Sequence, residues 1–242
     1  MYKANIYNLV LEVTRRCNLC CEHCLRGDAE QMDMSNELVD QLLDNVSSIG
    51  SVTFSGGEPT LNIPLIRHFF EEVRRRKIEL GSFFVVTNGI TNQMDLALLL
   101  LENIPYCYEK EMCGVACSVD NFHDNDEEQR ESPVRYLSFY SDSKETGDFY
   151  KGAGIIQRGR ADSPDFDGGR REDPTIDFEV EGTSEDGEDI CVDIDGEFYV
   201  SSKGQICADC DLSYPMMEDY SVGTVAGMQT LLRDLAEEFE ED

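Results

Sequence analysis

The sequence predicts an α/β chain built on a parallel sheet, barrel-like or doubly wound, and three observations predict it. Short β-branched or aromatic runs alternate with longer stretches of helical period, the pattern of repeated β-α units whose crossover helices make neighbouring strands parallel. The chemistry-bearing motifs fall directly after the strand runs, where parallel sheets carry their functional loops. The chain has 242 residues with 40% hydrophobic content, enough to bury a full core without disulfides.

The elements follow in order. "LVLEV" (9–13) reads as a buried strand, and after a cysteine-rich loop a helix begins near Ser35, whose hydroxyl can cap it. Leu38, Val39, Leu42, Leu43 and Val46 then share one face. "SVTF" (51–54) is the second strand; the next helix starts near Pro64 and spaces Ile66, Phe69, Phe70 and Val73 for one apolar stripe. "FFVVT" (83–87), a leucine-rich helix over 93–103, "GVACSVD" (114–120) and "GAGIIQ" (152–157) continue the series as strand, helix, strand and strand. The texture then changes: 162–174, "DSPDFDGGRREDP", has no periodicity and reads as a linker or long loop. Beyond it, 175–242 reads as a β-hairpin turning at Asp195-Gly196 and a final helix with Val225, Met228, Leu232, Leu235 and Phe239 on one face.

Ten cysteines in a chain without a signal-peptide-like start point to metal or redox chemistry in a reducing compartment. The longest purely apolar run, "LALLLL" (96–101), is far short of a membrane span, so a soluble, cytoplasmic protein is expected. Four of the cysteines lie in "CNLCCEHC" (17–24), readable as C-x3-C-x2-C through Cys17, Cys21 and Cys24 or as C-x2-C-x3-C through Cys17, Cys20 and Cys24. Three thiolates suit an iron-sulfur cube with one iron left open for a small molecule, whereas a fourth would close it into an electron carrier. Half of a zinc site is the competing reading. "SGGEPT" (55–60) follows the second strand, "TNG" (87–89) the third, and Ser118 and Asp120 end the fourth, so all should converge on one rim. Ser118 and Asp120 also read as ordinary solvated strand-end residues, and His68 and His123 as surface or packing residues. Fifty acidic against twenty basic residues give a net charge of −30. Such a surface repels phosphate backbones, so general nucleic-acid binding is not expected; it either attracts basic partners or serves solvation and adaptation to salt.

C-x3-C-x2-C after a first strand with a Gly-Gly-Glu loop after the second resembles the radical S-adenosylmethionine (radical SAM) enzymes over about residues 5–160. The resemblance implies a partial (β/α)6 TIM-like barrel with a small C-terminal hairpin and helix extension, and a core spanning 1–161. It implies that Cys17, Cys21 and Cys24 hold a [4Fe-4S] cluster whose open iron chelates S-adenosylmethionine (SAM). Reductive cleavage of SAM then gives a 5′-deoxyadenosyl radical that abstracts hydrogen. By the same resemblance His23 lies near the adenine, Gly56 and Gly57 let the backbone approach the cofactor, Glu58 accepts from its ammonium group and Pro59 fixes the turn. Asn88, Ser118 and Asp120 belong to the polar rim, Ile155 and Ile156 flank the adenine, and Arg158 or Arg160 of "QRGRA" (157–161) pairs with a carboxylate.

Cys191, Cys207 and Cys210 flank the expected C-terminal hairpin, which resembles a truncated SPASM or twitch auxiliary-cluster module. It departs from that pattern in having two residues between Gly204 and Cys207 and no cysteine after Cys210. These three are candidates for a second iron-sulfur cluster or a zinc site, with Cys113 or Cys107 as a further ligand, or for no metal at all. The resemblance implies a peptide or protein side chain as substrate and a reducing partner such as flavodoxin or ferredoxin. Radical modification of a small metabolite or nucleotide, glycyl-radical enzyme activation and a non-enzymatic iron-sulfur carrier are the alternatives.

Overall fold

The computed structural model describes residues 1–118, 131–142, 155–163, 166 and 173–241. Its hub is β1 (Tyr2–Thr14), whose last six residues are all buried. That explains why "LVLEV" lacks alternation: both faces of the strand are covered. β1 pairs in parallel with β2 (Val46–Gly56) on one side, placing Leu9 beside Val52 and Leu11 beside Phe54. β2 is followed in parallel by β3 (Glu79–Thr87), β4 (Gly114–Cys117) and β5 (Tyr140–Asp142).

The helices form as their spacing predicts. α1 (Asn36–Leu43) is capped by Ser35, whose hydroxyl accepts from the Leu38 N–H, and it buries Val39, Leu42 and Leu43. α2 (Ile63–Arg76) has Pro64 in its first turn and ends at Lys77 in the left-handed conformation. Its Phe69 and Phe70 meet Phe54 of β2 edge-on at centroid distances of 5.3 and 5.4 Å, and Phe70 meets Phe83 of β3 at 5.7 Å. These aromatic contacts fix α2 on the sheet. α3 (Gln93–Asn103) packs Leu96, Leu99 and Leu100 inward.

A short strand precedes the one predicted at 152–157. Tyr140–Asp142, which the sequence does not predict, pairs with Val115–Cys117 as the fifth strand in chain order, while of the predicted 152–157 residues 152–154 lie outside the described residues and Ile156 makes a single β-bridge. Three residues, "YSD", carry no period of their own; the open edge of β4 recruits them.

After residue 173 the chain returns to the other side of β1. β7 (Asp189–Val200) runs parallel to it, with Leu9 beside Phe198 and Leu11 beside Val200. The C-terminal segment therefore extends the same sheet. β6 (Glu179–Asp186) pairs antiparallel with β7 across the two-residue loop Gly187–Glu188. The hairpin expected at Asp195-Gly196 is thus displaced to Gly187–Glu188. Gly196 (φ +78°) instead makes a bulge at which the register with β1 slips between Ile6 and Asn8, because a left-handed glycine serves a bulge as well as a turn. β8 (Gln205–Cys207), a short α4 (Met216–Asp219), β9 (Gly223–Thr224) and α5 (Met228–Glu241) complete the chain. The sheet order is β5-β4-β3-β2-β1-β7-β8-β9, with β6 also on β7. Among the described residues it forms an open, mostly parallel sheet and not a closed barrel. No helix of the described residues is long and apolar enough to cross a membrane.

Candidate active site

A cavity of about 500 Å³ opens at the carboxyl ends of β1 to β4, a size suited to a small-molecule site. Cys17, Cys21 and Cys24 line it, together with His23. Cys20 does not: its side chain is exposed and its sulfur accepts from Arg160 Nη1 at 2.8 Å. Burial pushes the Cys17 thiol up, the Leu19 N–H that its sulfur accepts at 3.4 Å opposes this, and nearby Glu58, Cys21 and Cys24 push it up further. Among the described residues no three Cys, His, Asp or Glu side chains close around one point as the ligands of a single ion do. Three thiols on one loop lining one cavity are a donor set that fits an iron-sulfur group, in which each sulfur meets a different metal.

The loop after β2 is pressed against the end of β1. A Cβ on Gly56 would sit 2.1 Å from the Thr14 carbonyl oxygen, and one on Gly57 2.2 Å from that of Arg16. Gly56 also has φ +139°. The Gly57 and Glu58 N–H groups donate to those same carbonyls at 2.9 and 2.8 Å. Both glycines are thus required by the approach of the strand that leads into the cysteine loop, and both also line the cavity. Pro59 starts a buried 3-10 turn over Pro59–Asn62.

Glu58 is buried and braces two loops. Its Oε1 accepts from the Thr60 N–H and from the Thr60 and Thr87 hydroxyls (3.1, 2.6 and 2.7 Å), and its Oε2 from the Asn88 N–H (2.7 Å). Burial raises its carboxyl above the usual range, with those donors opposing the rise. A carboxylate offers about four acceptor sites; Oε1 is saturated and Oε2 retains one. Asn88 donates its side-chain NH2 to Asn18 Oδ1 at 2.8 Å, joining the loop after β3 to the cysteine loop. Ser118 lines the cavity and its N–H donates to the Thr87 carbonyl at 2.8 Å; Asp120 lies outside the described residues.

The C-terminal segment builds the opposite wall from Glu197, Cys210, Asp211 and Tyr214. Its docking rests on buried charges that belong to none of the sequence motifs. Glu12, fully buried within β1, accepts from Arg15 Nε (2.7 Å), the Ser202 N–H and hydroxyl (3.0 and 2.7 Å) and the Tyr199 hydroxyl (2.6 Å). Arg15 lies 4.2 Å from the Tyr214 ring centroid, and Arg26 donates to the Leu212 carbonyl at 2.5 Å. The available signal was an acid inside an apolar strand followed by arginines on both sides of the cysteines.

Other predicted residues are placed elsewhere. Arg158 is buried and donates to Asp209 and the Asp211 carbonyl at 3.2 and 2.6 Å, tying its segment to the C-terminal loop. Arg160 does line the cavity. Ile155 packs with Ala161 and Phe166, and Ile156 is half-buried outside the cavity lining. His68 bonds Asp40 at 2.9 Å on the α1–α2 surface, and His123 lies outside the described residues. Cys191 pairs with Lys3 near the start of β7, while Cys207 pairs with Tyr199 eight residues further along, a separation of roughly 25 Å at strand rise. The structure does not bring Cys191 to Cys207 and Cys210, because β7 continues straight where a hairpin was expected. Burial pushes the Cys207 thiol up to about 11, and burial with Glu197 and Asp211 pushes that of Cys210 higher. Cys107, Cys113 and Cys117 are buried in the main core.

Residues 11–146 match the family model described as the radical SAM superfamily. The chain is 34% identical over 102 residues to an Fe-coproporphyrin III synthase of Methanosarcina barkeri, covering 39% of this chain and 24% of that protein. It is 36% identical over 94 residues to a tungsten-containing aldehyde ferredoxin oxidoreductase cofactor-modifying protein of Pyrococcus furiosus, covering 36% and 25%. The matches thus span about a quarter of the length of these curated relatives. A solved structure described as native anSMEcpe with bound AdoMet and Cp18Cys peptide shares the fold, with a TM-score of 0.55 and 14% identity over 95% of this chain and 79% of that one.

Proposed function

The chain belongs to the radical SAM superfamily, whose members are enzymes using a [4Fe-4S] cluster and SAM, and on that premise we propose that Cys17, Cys21 and Cys24 hold its cluster and that it modifies a peptide or protein side chain. One observation carries the ligand choice: these three thiols share the cavity with the Gly-Gly-Glu loop while Cys20 stays outside it. When bound, the cluster and SAM supply a 5′-deoxyadenosyl radical that removes a hydrogen atom from the substrate. The chain's own residues hold the reactants. Glu58 Oε2, with one acceptor site left, takes the ammonium group; Asn88 and Ser118 offer polar contacts to the carboxylate or ribose, and His23 lies along the adenine. Val10, Leu25 and Val86 line the cavity with apolar surface and keep water from the reacting atoms.

Glu197 and Asp211 make the opposite wall acidic, and the net charge of −30 raises the local concentration of basic chains. Both favour a cationic peptide. The smaller-molecule reading has its own support in the names of the relatives, which include probable GTP 3′,8-cyclases of Methanosarcina mazei and Pyrococcus horikoshii at 33% and 32% identity. A flavodoxin or ferredoxin supplies the electron.

Iron and sulfide analysis of anaerobically reconstituted variants tests the ligand assignment. Cys17→Ala, Cys21→Ala and Cys24→Ala should each lose the cluster and Cys20→Ala should keep it; the reverse result for Cys20 and Cys21 refutes the register. Reduced wild-type protein should form 5′-deoxyadenosine from SAM, faster with a basic peptide than with a nucleotide. A loaded protein that never cleaves SAM under strong reductant is an electron carrier instead.

A further inference from the structure

Cys20 and Cys21 are adjacent, about 3.8 Å apart at Cα, with Cys21 lining the cavity and Cys20 exposed beside it. The sequence permits either ligand set, and something must choose. The segment around Arg160 is clamped onto this loop. The Arg160 N–H donates to the Cys24 carbonyl at 2.9 Å. Gly159, at φ +59°, lies so close that a Cβ there would meet the Leu25 and Cys24 carbonyl oxygens at 2.3 and 2.7 Å. Arg158 fixes the other side of the segment to Asp209 and the Asp211 carbonyl. From this anchored arm Arg160 Nη1 reaches the Cys20 sulfur at 2.8 Å, with Asp28 at 3.4 Å from the same nitrogen.

We propose that Arg160 is a positioning residue that selects the ligand register, holding Cys20 outside the cavity so that Cys17, Cys21 and Cys24 are the three thiols left facing it. The proposal rests on the cluster assignment above and adds the reason for it. Arg160 anchors Cys24 through its backbone N–H, and its guanidinium meets the Cys24 thiol as well as that of Cys20, so Arg160→Ala keeps the backbone bond to Cys24 while it releases Cys20 and removes the side-chain contact to Cys24.

Iron and sulfide content of reconstituted Cys21→Ala, Arg160→Ala and the double variant decides it. Cys21→Ala alone should stay iron-poor. Adding Arg160→Ala should restore roughly half of the wild-type iron through Cys17, Cys20 and Cys24, a gain that a merely structural role for Arg160 cannot produce. Arg160→Lys in the same background, which keeps a donor near Cys20, should restore none. A double variant as iron-poor as Cys21→Ala overturns the proposal. Cluster-free protein gives a reading independent of loading: after mild diamide oxidation and peptide mapping, wild-type disulfides should form among Cys17, Cys21 and Cys24 and leave Cys20 free to alkylate, whereas in Arg160→Ala Cys20 should enter the pairs. An unchanged disulfide map overturns the proposal as well. Wild-type protein that takes up no iron refutes the cluster assignment, and the disulfide map still decides the role of Arg160.

Discussion

Replacing Gly57 by alanine separates two reasons for the glycines after β2. If they only make room for a cofactor, the added methyl blocks the cofactor and leaves the protein otherwise intact. The structure gives a different consequence. The new Cβ would lie 2.2 Å from the Arg16 carbonyl oxygen, 2.7 Å from its carbon and 3.0 Å from the Arg15 oxygen. All three are backbone atoms that cannot swing aside, so β1 and the loop must separate by about 1 Å to reach ordinary contact. The bonds from the Gly57 and Glu58 N–H groups to Thr14 and Arg16 are then weakened together. Two backbone hydrogen bonds are worth about 1 kcal/mol each, and forced overpacking adds about 1–3 kcal/mol. The sum, about 3–5 kcal/mol, corresponds to a fall of roughly 6–20 °C in Tm for a chain of this size. Cys17 follows Arg16 directly, so the displaced strand end carries the first ligand with it. Thermal unfolding followed by circular dichroism, with iron content measured on the same reconstituted sample, is the assay: Gly57→Ala should lose both stability and cluster. A variant that melts with the wild type, loads full iron and fails only to bind SAM refutes the reasoning and returns the glycines to the cofactor.

The remaining expectations concern the buried charges, the acid limb and the C-terminal thiols. Glu12→Gln keeps the shape of the side chain but leaves Arg15, 1% exposed, with only the half-exposed Glu30 as counter-charge; urea unfolding should show a loss of about 3–5 kcal/mol, and a change within error shows that the pair is dispensable. Arg75 and Arg76 hold the Glu72 carboxyl down, from 4.5 to about 2. A depressed carboxyl stabilises the fold above its unfolded value and loses that contribution as pH falls from 4.5 towards 2, so Glu72→Gln should flatten the stability-versus-pH curve in that window and leave its slope near neutrality unchanged. Because Cys191 lies roughly 25 Å from Cys207 along β7, a variant lacking Cys17, Cys21 and Cys24 should retain neither iron nor zinc by elemental analysis; metal at full stoichiometry would restore an auxiliary site.

The sequence by itself determined the elements whose signal is local. The strand runs at β1 to β4, the Ser35 cap, the stripes of α1 and α2 and the positions of "CNLCCEHC", "SGGEPT" and "TNG" after successive strands are all properties of neighbouring residues, and the family follows from their order. Tertiary structure decided whatever depends on partners distant in the chain. Tyr140–Asp142 is a strand only because β4 offers it an edge, and Asp195-Gly196 bulges instead of turning because β7 continues along β1. Two ligand registers are written into residues 17–24, and it is Arg160, more than a hundred residues away, that meets Cys20. Glu12 looks like an intruder in an apolar strand until Arg15, Tyr199 and Ser202 surround it. Local sequence fixes backbone preference and hydrophobic period at short range, whereas edge pairing, close backbone approach and the neutralisation of buried charge are interactions between segments that no local pattern contains.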